Sequence, residues 1–350
     1  MNIKQRNYNL DLLRILACFM VIVIHVCATN WDNTNTNSFY FAIYNIYDSL
    51  VRASVPLFVM ISGVFFLNQK EIETKKLYKT KILKLCVFYF SWNIIYYFFD
   101  IFIYKYDFTI LSFLNKVILG HFHLWFIPMI IGLYIISPLL TKITMNSSSK
   151  LVKYFITIFM VGCLMTTIDY CTFLPKYELI HNFISKLPID IICQYYSYFL
   201  LGYYLYNYDF TRIEKKKILL SGTFIICILV CTCGTWYLSH VSGFNNATLY
   251  ENFSIFTLLE AIIIFLLFKK NNFISEKIYA DKVAKISKDT LGIYAIHIMI
   301  MNLLFHYQII TITSFNPVLS VPIISAIVFI FSLICVRVLR KIKLINKFLI

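Results

Sequence analysis

The chain has 350 residues, of which 60% are hydrophobic, 18% aromatic and only 14% charged, a balance that excludes an ordinary soluble domain and points to an integral membrane protein. A net charge of +15 would suit nucleic acid only if a basic patch lay on a folded aqueous domain, and no segment is long enough to build one. The cations are therefore assigned to loops facing the lipid bilayer, with no nucleic acid as partner and some charge left for an anionic ligand.

The first apolar run has no separable basic region, short apolar core and cleavage site, so it is expected to remain as a helix. Apolar windows of about 17 to 25 residues give ten expected spans, near 10–29, 50–67, 85–104, 124–141, 151–171, 190–206, 218–238, 253–268, 290–306 and 318–337. The fourth and sixth are short and interrupted by proline or tyrosine. With the amino terminus in the cytoplasm, 27 of the 32 basic residues fall on that side, beginning with Lys4, Arg6 and Arg14. Only Arg52, Lys105, Lys116, Lys176 and Lys186 fall on the other. Losing one span would invert the sign of every later loop, so the alternation supports the count. The expected fold is all-α: a single polytopic membrane helix bundle over residues 1–350, with about ten transmembrane helices and both termini cytoplasmic. No loop is long enough for a soluble catalytic domain, which leaves chemistry to the bundle. The ten cysteines sit mostly in apolar runs, where they act as packing residues, without a disulfide framework or zinc spacing.

Within the first span, "RILACFMVIVIH" begins at Arg14 and ends at His25. Eleven residues are close to three helical turns, which places guanidinium and imidazole on one stripe about 16 Å apart along the axis. Asp11 falls near the same stripe. It is about 21 Å from His25, so its expected partner is Arg14, one turn away. Helix-end snorkelling would explain Arg14 without any function.

The second span, "RASVPLFVMISGVFFLNQ", contains Ser62 and Gly63, a small-residue site where a helix or a ligand can approach closely. In "KKLYKTKILKLCVFYF" the lysines first mark the cytoplasmic side, but Lys81 and Lys84 stand one turn apart and are candidates for the phosphates of a cytoplasmic anion. "GHFHLWFIPM" brings His121, His123 and Trp125 to the outer edge of the fourth span. No third and fourth metal ligand lies nearby, and Trp125 reads as an interfacial anchor. "SKDTLGIYAIH" offers Ser287 or Asp289 as N-cap of the ninth span, with His297 about two turns inside. An intramembrane histidine is a functional candidate by default, and a hydrogen-bonded bundle histidine is the competing reading. No phosphate loop, nucleophile elbow, metalloprotease helix or carboxylate dyad is present. A lone histidine base is the most economical catalyst left.

These segments resemble a known family. "NLDLLRILACFMVIVIH" is similar to the opening helix of the acyltransferase 3 family of bacterial membrane proteins, in which an arginine and a histidine are separated by ten residues; here they are Arg14 and His25, with Asp11 in the preceding run. "ASVPLFVMISGVFFL", "HLWFIPMIIGLYIISPLL" and "TLGIYAIH" are similar to later segments of that family, in the same order. The family's Arg-x-x-Arg at the third helix is replaced here by Lys81 and Lys84, which keep charge but lose bidentate geometry.

The resemblance implies an O-acyltransferase of the bacterial cytoplasmic membrane that moves an acetyl or other short acyl group to a hydroxyl of an envelope polysaccharide or lipid-linked glycan. It implies no permanently bound cofactor, with acetyl-CoA as acyl donor. His25 is the expected general base, with Arg14 and Asp11 in the catalytic stripe and Arg14, Lys81 and Lys84 holding the donor. Ser62, His123, Trp125 and His297 are the expected lining of the acceptor site. A ten-helix glycan or lipid transporter and a non-catalytic sensing domain are the alternatives from other classes.

Overall fold

The computed structural model describes residues 6–270 and 277–348; Lys4, counted above, lies outside the described residues. Helices and connecting turns make up the whole of what is described, without a strand. Nine helical stretches among the described residues are long and apolar enough to cross a membrane. The fold is an all-α polytopic bundle.

Helix α1 (Tyr8–Ala28) begins where the Asn7 side chain accepts from the backbone N–H groups of Asn9 and Leu10, a standard N-cap. The second expected span starts earlier than residue 50. Helix α2 (Phe39–Val51) buries Phe41, Tyr44, Asn45, Asp48 and Ser49, and a turn at Arg52 and Ala53 leads to α3 (Ser54–Leu67). Pro56 explains the break, because in a continuous helix its ring would meet the carbonyl of Arg52, while in the first turn of a new helix its missing N–H is harmless. The polar residues that made 39–49 read as a loop are turned into the bundle instead.

A short helix (Thr74–Leu77) and a π-helical turn (Tyr78–Ile82) precede α4 (Leu83–Tyr104). An exposed ten-residue helix, α5 (Ile110–Leu119), follows. Next come α6 (Phe126–Asn146) and α7 (Ser149–Tyr170). The sixth expected span is realised as α8 (Tyr195–Asn207), 13 residues long and separated from a turn at Ile189–Ile192. Although short, α8 runs between the same two ends as α1. Its Tyr195 ring lies 5.8 Å from Trp125, and the Asn7 side chain donates to the Tyr206 hydroxyl at 3.3 Å.

Helices α3 and α8 cross at two glycines. A Cβ on Gly63 would stand 1.9 Å from the Phe199 carbonyl oxygen, and one on Gly202 would stand 2.1 Å from that of Met60. Between helices surrounded by lipid there is little hydrophobic drive to associate, so close backbone approach at small residues takes its place.

Helices α9 (Lys217–Ser242), α10 (Ile255–Lys270), α11 (Lys277–His306) and α12 (Pro317–Leu339) complete the bundle. The ninth expected span is part of a longer helix: α11 has 30 residues, and Ser287 and Asp289 lie inside it rather than capping it. Ala280, Ala284 and Ser287 are buried at helical spacing while Lys282 and Lys285 are not, so its first half is amphipathic and continues without a break.

The basic segments meet at one end. Arg6 donates to the Ala284 carbonyl at 3.0 Å, and Arg340 to that of Lys288 at 2.8 Å. Lys269 reaches the carbonyls of Leu205 and Tyr208 at 2.6 and 2.7 Å. Residues near both ends of the described chain are therefore on the same side of the bundle.

Candidate active site

A cavity of about 1110 Å³ runs along α1. At the basic end its wall includes Arg6, Asp11, Arg14, Lys81 and Lys288, and at the other end His25, Arg52, His123, Trp125 and Asn252. From Asn7 to His25 the helix rises about 27 Å, and the wall between is mostly apolar, with Phe58, Phe65, Ile127 and Ile130. An extended molecule with an anionic head and a reactive tail fits such a shape.

Asp11 does not pair with Arg14 as expected. Arg6, in the approach to the helix, places two guanidinium nitrogens on the carboxylate, Nε at 2.5 Å and Nη2 at 3.1 Å, and the Ser287 hydroxyl donates to it at 2.6 Å. The hydrogen bond to Asp11 raises the pKa of Arg6 above its ordinary value. Arg14 is left without an ion pair or hydrogen bond among the described residues, its guanidinium 5.3 Å from the centre of the Phe65 ring. A guanidinium at the cavity wall with no hydrogen-bonded partner of its own is placed for an anion that arrives.

Lys81 is in the cavity wall and Lys84 is not. The π-helical turn at Tyr78–Ile82 takes more residues per turn than an α-helix, which shifts the phase between the two lysines. Ser62 lines the cavity and donates to the Phe58 carbonyl at 2.9 Å. Its hydroxyl also shares a side-chain hydrogen bond with Tyr134.

At the far end the structure brings together four histidines from three distant segments. The His25 ring lies 5.7 Å from Phe122, 6.4 Å from His123 and 5.2 Å from His297. Neither nitrogen of His25 is hydrogen-bonded among the described residues. His123 is 1% exposed; its Nδ1 is 2.7 Å from His121 Nδ1 and its Nε2 is 3.3 Å from the Ala295 carbonyl. The Tyr294 hydroxyl donates to the His123 carbonyl, and the backbone N–H of His121 donates to Asn93 at 2.9 Å. His297, expected in the acceptor lining, is fully buried behind His25 and is not in the cavity wall. Trp125 is in the wall and 44% exposed.

Arg52 was read only as an outer-side charge. At the turn between α2 and α3 it enters the cavity wall, paired with Asp48 and 4.3 Å above the Tyr250 ring. The charge itself, beside a proline two turns from Ser62, was the available signal. Tyr134 and Phe65, also in the wall, gave none, since aromatic residues are common in every span.

The sequence of residues 7–337 matches the model of a family described as an acyltransferase domain. The chain belongs to this family. The match covers nearly all of the described residues of this acyltransferase, from the cap of α1 to the last turns of α12, so both ends of the cavity lie within it. No curated protein and no solved structure matches the chain. It is a multi-pass membrane protein with acyl transfer as its chemistry.

Proposed function

We propose that the protein is an O-acyltransferase of the bacterial cytoplasmic membrane that transfers an acetyl or similarly short acyl group from cytoplasmic acyl-CoA to a hydroxyl of an envelope polysaccharide or lipid-linked glycan. The observation that carries this reading is that Arg14 and His25 line one cavity, neither with a hydrogen-bond partner among the described residues. An acyl-CoA has phosphates at one end and a thioester at the end of an extended arm. With the phosphates at the basic end, on Arg14 and Lys81, the arm lies along the apolar wall and the thioester comes to His25.

His25, neutral, takes the proton of the acceptor hydroxyl as its oxygen attacks the thioester carbon. Collapse of the tetrahedral intermediate expels CoA as thiolate, and the imidazolium returns its proton to the sulfur. The acceptor enters from the far end, beside Trp125 and His123, and reaches towards Ser62 deeper in the cavity. The resemblance of its segments to the O-acetyltransferase of enterobacterial common antigen supports a glycan acceptor.

The test uses membranes from cells that carry the protein, supplied with acetyl-CoA labelled in the acetyl group. Label is expected in envelope glycan, released by mild alkali as an ester. Label that never leaves the donor, with the protein present and folded, contradicts the reading.

A further inference from the structure

His297 has an unusual pair of surroundings for its two nitrogens. Nδ1 lies 2.7 Å from the Tyr294 carbonyl oxygen, one turn back in α11. A carbonyl only accepts, so in the neutral ring Nδ1 carries the hydrogen and Nε2 the lone pair. That Nε2 is buried and has no protein donor among the described residues. An unsatisfied acceptor inside a protein costs about 1–3 kcal/mol, and in a family of packed helices it calls for a reason.

The neighbours narrow the choice of donor. Rings near His297 belong to His25 at 5.2 Å, His123 at 5.3 Å and Tyr294 at 6.0 Å. Both nitrogens of His123 are engaged, by His121 and Ala295. The Tyr294 hydroxyl is engaged by the His123 carbonyl, and the nearby Tyr96 hydroxyl donates to the Ala295 carbonyl at 2.7 Å. His25 alone among these groups has an uncommitted N–H.

The register of the two helices is held on both sides of this pair. Asp11 meets Ser287 at 2.6 Å one way along α1, and Thr29 Oγ1 meets Met301 Sδ at 3.8 Å the other way. Thr29 and Met301 each stand four residues beyond their histidine, so the same two helix faces continue past the pair. The rings are tilted by 41°, and hydrogen bonds between catalytic groups are often long or poorly aligned in a static structure.

We propose that His297 is the positioning residue for His25: its buried Nε2 accepts the His25 N–H and so presents the other nitrogen of His25, with its lone pair, to the cavity. The nearest acidic group on α1, Asp11, is about 21 Å away along the helix and is engaged elsewhere, so a neutral imidazole does here what a carboxylate does in a Ser-His-Asp triad. The tautomer is set in two steps, from the Tyr294 carbonyl to His297 and from His297 to His25.

The inference rests on the acyl-transfer reading for its kinetic arm alone. In the full-length protein in nanodiscs, His297→Met, apolar and of similar length, is expected to lower kcat for acetyl transfer about 100-fold with the Kd for acetyl-CoA within twofold of the unmodified protein. His297→Gln, which keeps an acceptor oxygen near the position of Nε2, is expected to recover a measurable part of that loss. A fall in kcat of threefold or less for His297→Met, or a His297→Gln protein no faster than His297→Met, overturns the proposal.

The second arm needs no activity and no substitution at 297. With histidine labelled by 15N, and the His25 signals assigned by their loss in His25→Gln, the unmodified protein is expected to show His25 in one tautomer with its N–H hydrogen-bonded. A mixture of His25 tautomers overturns the pairing. Absence of any acyl transfer by the unmodified protein would remove the function proposed above, and the spectrum would still decide the pairing.

Discussion

Ser287 donates to Asp11 at 2.6 Å and thereby joins the first turn of α1 to the middle of α11. Both side chains are buried, and the carboxylate also holds Arg6. Ser287→Ala removes one donor to a buried charge, for which the expected cost is about 1–3 kcal/mol. Thermal unfolding in detergent should show a lowered Tm, and an unchanged Tm would mean that the bond does not hold the two helices in register.

With the Asp11 carboxylate held by Arg6 and Ser287, Arg14 is expected to act on the donor. Arg14→Gln should raise KM for acyl-CoA about 10- to 100-fold, the equivalent of a charged hydrogen bond, with a smaller change in kcat. Arg14→Lys should recover part of the loss, because it restores charge without the planar fork. Equal KM values for all three proteins would assign Arg14 to snorkelling at the helix end.

Lys81 lines the cavity and Lys84 does not, and donor binding should register the difference. Lys81→Ala is expected to raise KM for acyl-CoA several-fold more than Lys84→Ala does, since a single charge near a phosphate is worth about 1 kcal/mol or somewhat more. The reverse order would contradict the placement of Lys81 on the donor.

At the crossing of α3 and α8, Gly63→Ala places a methyl group 1.9 Å from the Phe199 carbonyl. The obstacle is backbone, so the helices must separate, at about 1–3 kcal/mol. Gly202→Ala forces the same separation. The double variant should therefore lose less stability than the two single losses together, which thermal unfolding of the three proteins will measure.

Periodicity made the Arg14–His25 stripe legible, because both residues lie on one helix and a three-turn spacing needs no tertiary information. The loop charges likewise foretold that residues near both ends of the described chain share one side, even though α8 is only 13 residues long. What the sequence concealed was contact between distant segments. His25, His121 and His297 stand up to 272 positions apart, and nothing local in any of the three segments encodes their convergence. Asn45, Asp48 and Ser49 read as loop residues because their partners, Thr232, Arg52 and Tyr250, lie across the bundle or beyond a turn. The pairing expected of Asp11 with Arg14 failed for a related reason: helical spacing identifies neighbours on the helix, but Arg6 before its start and Ser287 on another helix compete for the same carboxylate.

The central claim is that His25 removes the acceptor proton, and its most direct test is acetyl transfer by His25→Ala, compared with the unmodified protein at equal membrane abundance and with acetyl-CoA binding measured in parallel. The account predicts a loss of at least about 100-fold in the transfer rate, with donor affinity retained because Arg14 and Lys81 are untouched. A folded His25→Ala protein that still moves label from acetyl-CoA to envelope glycan at the original rate would contradict it.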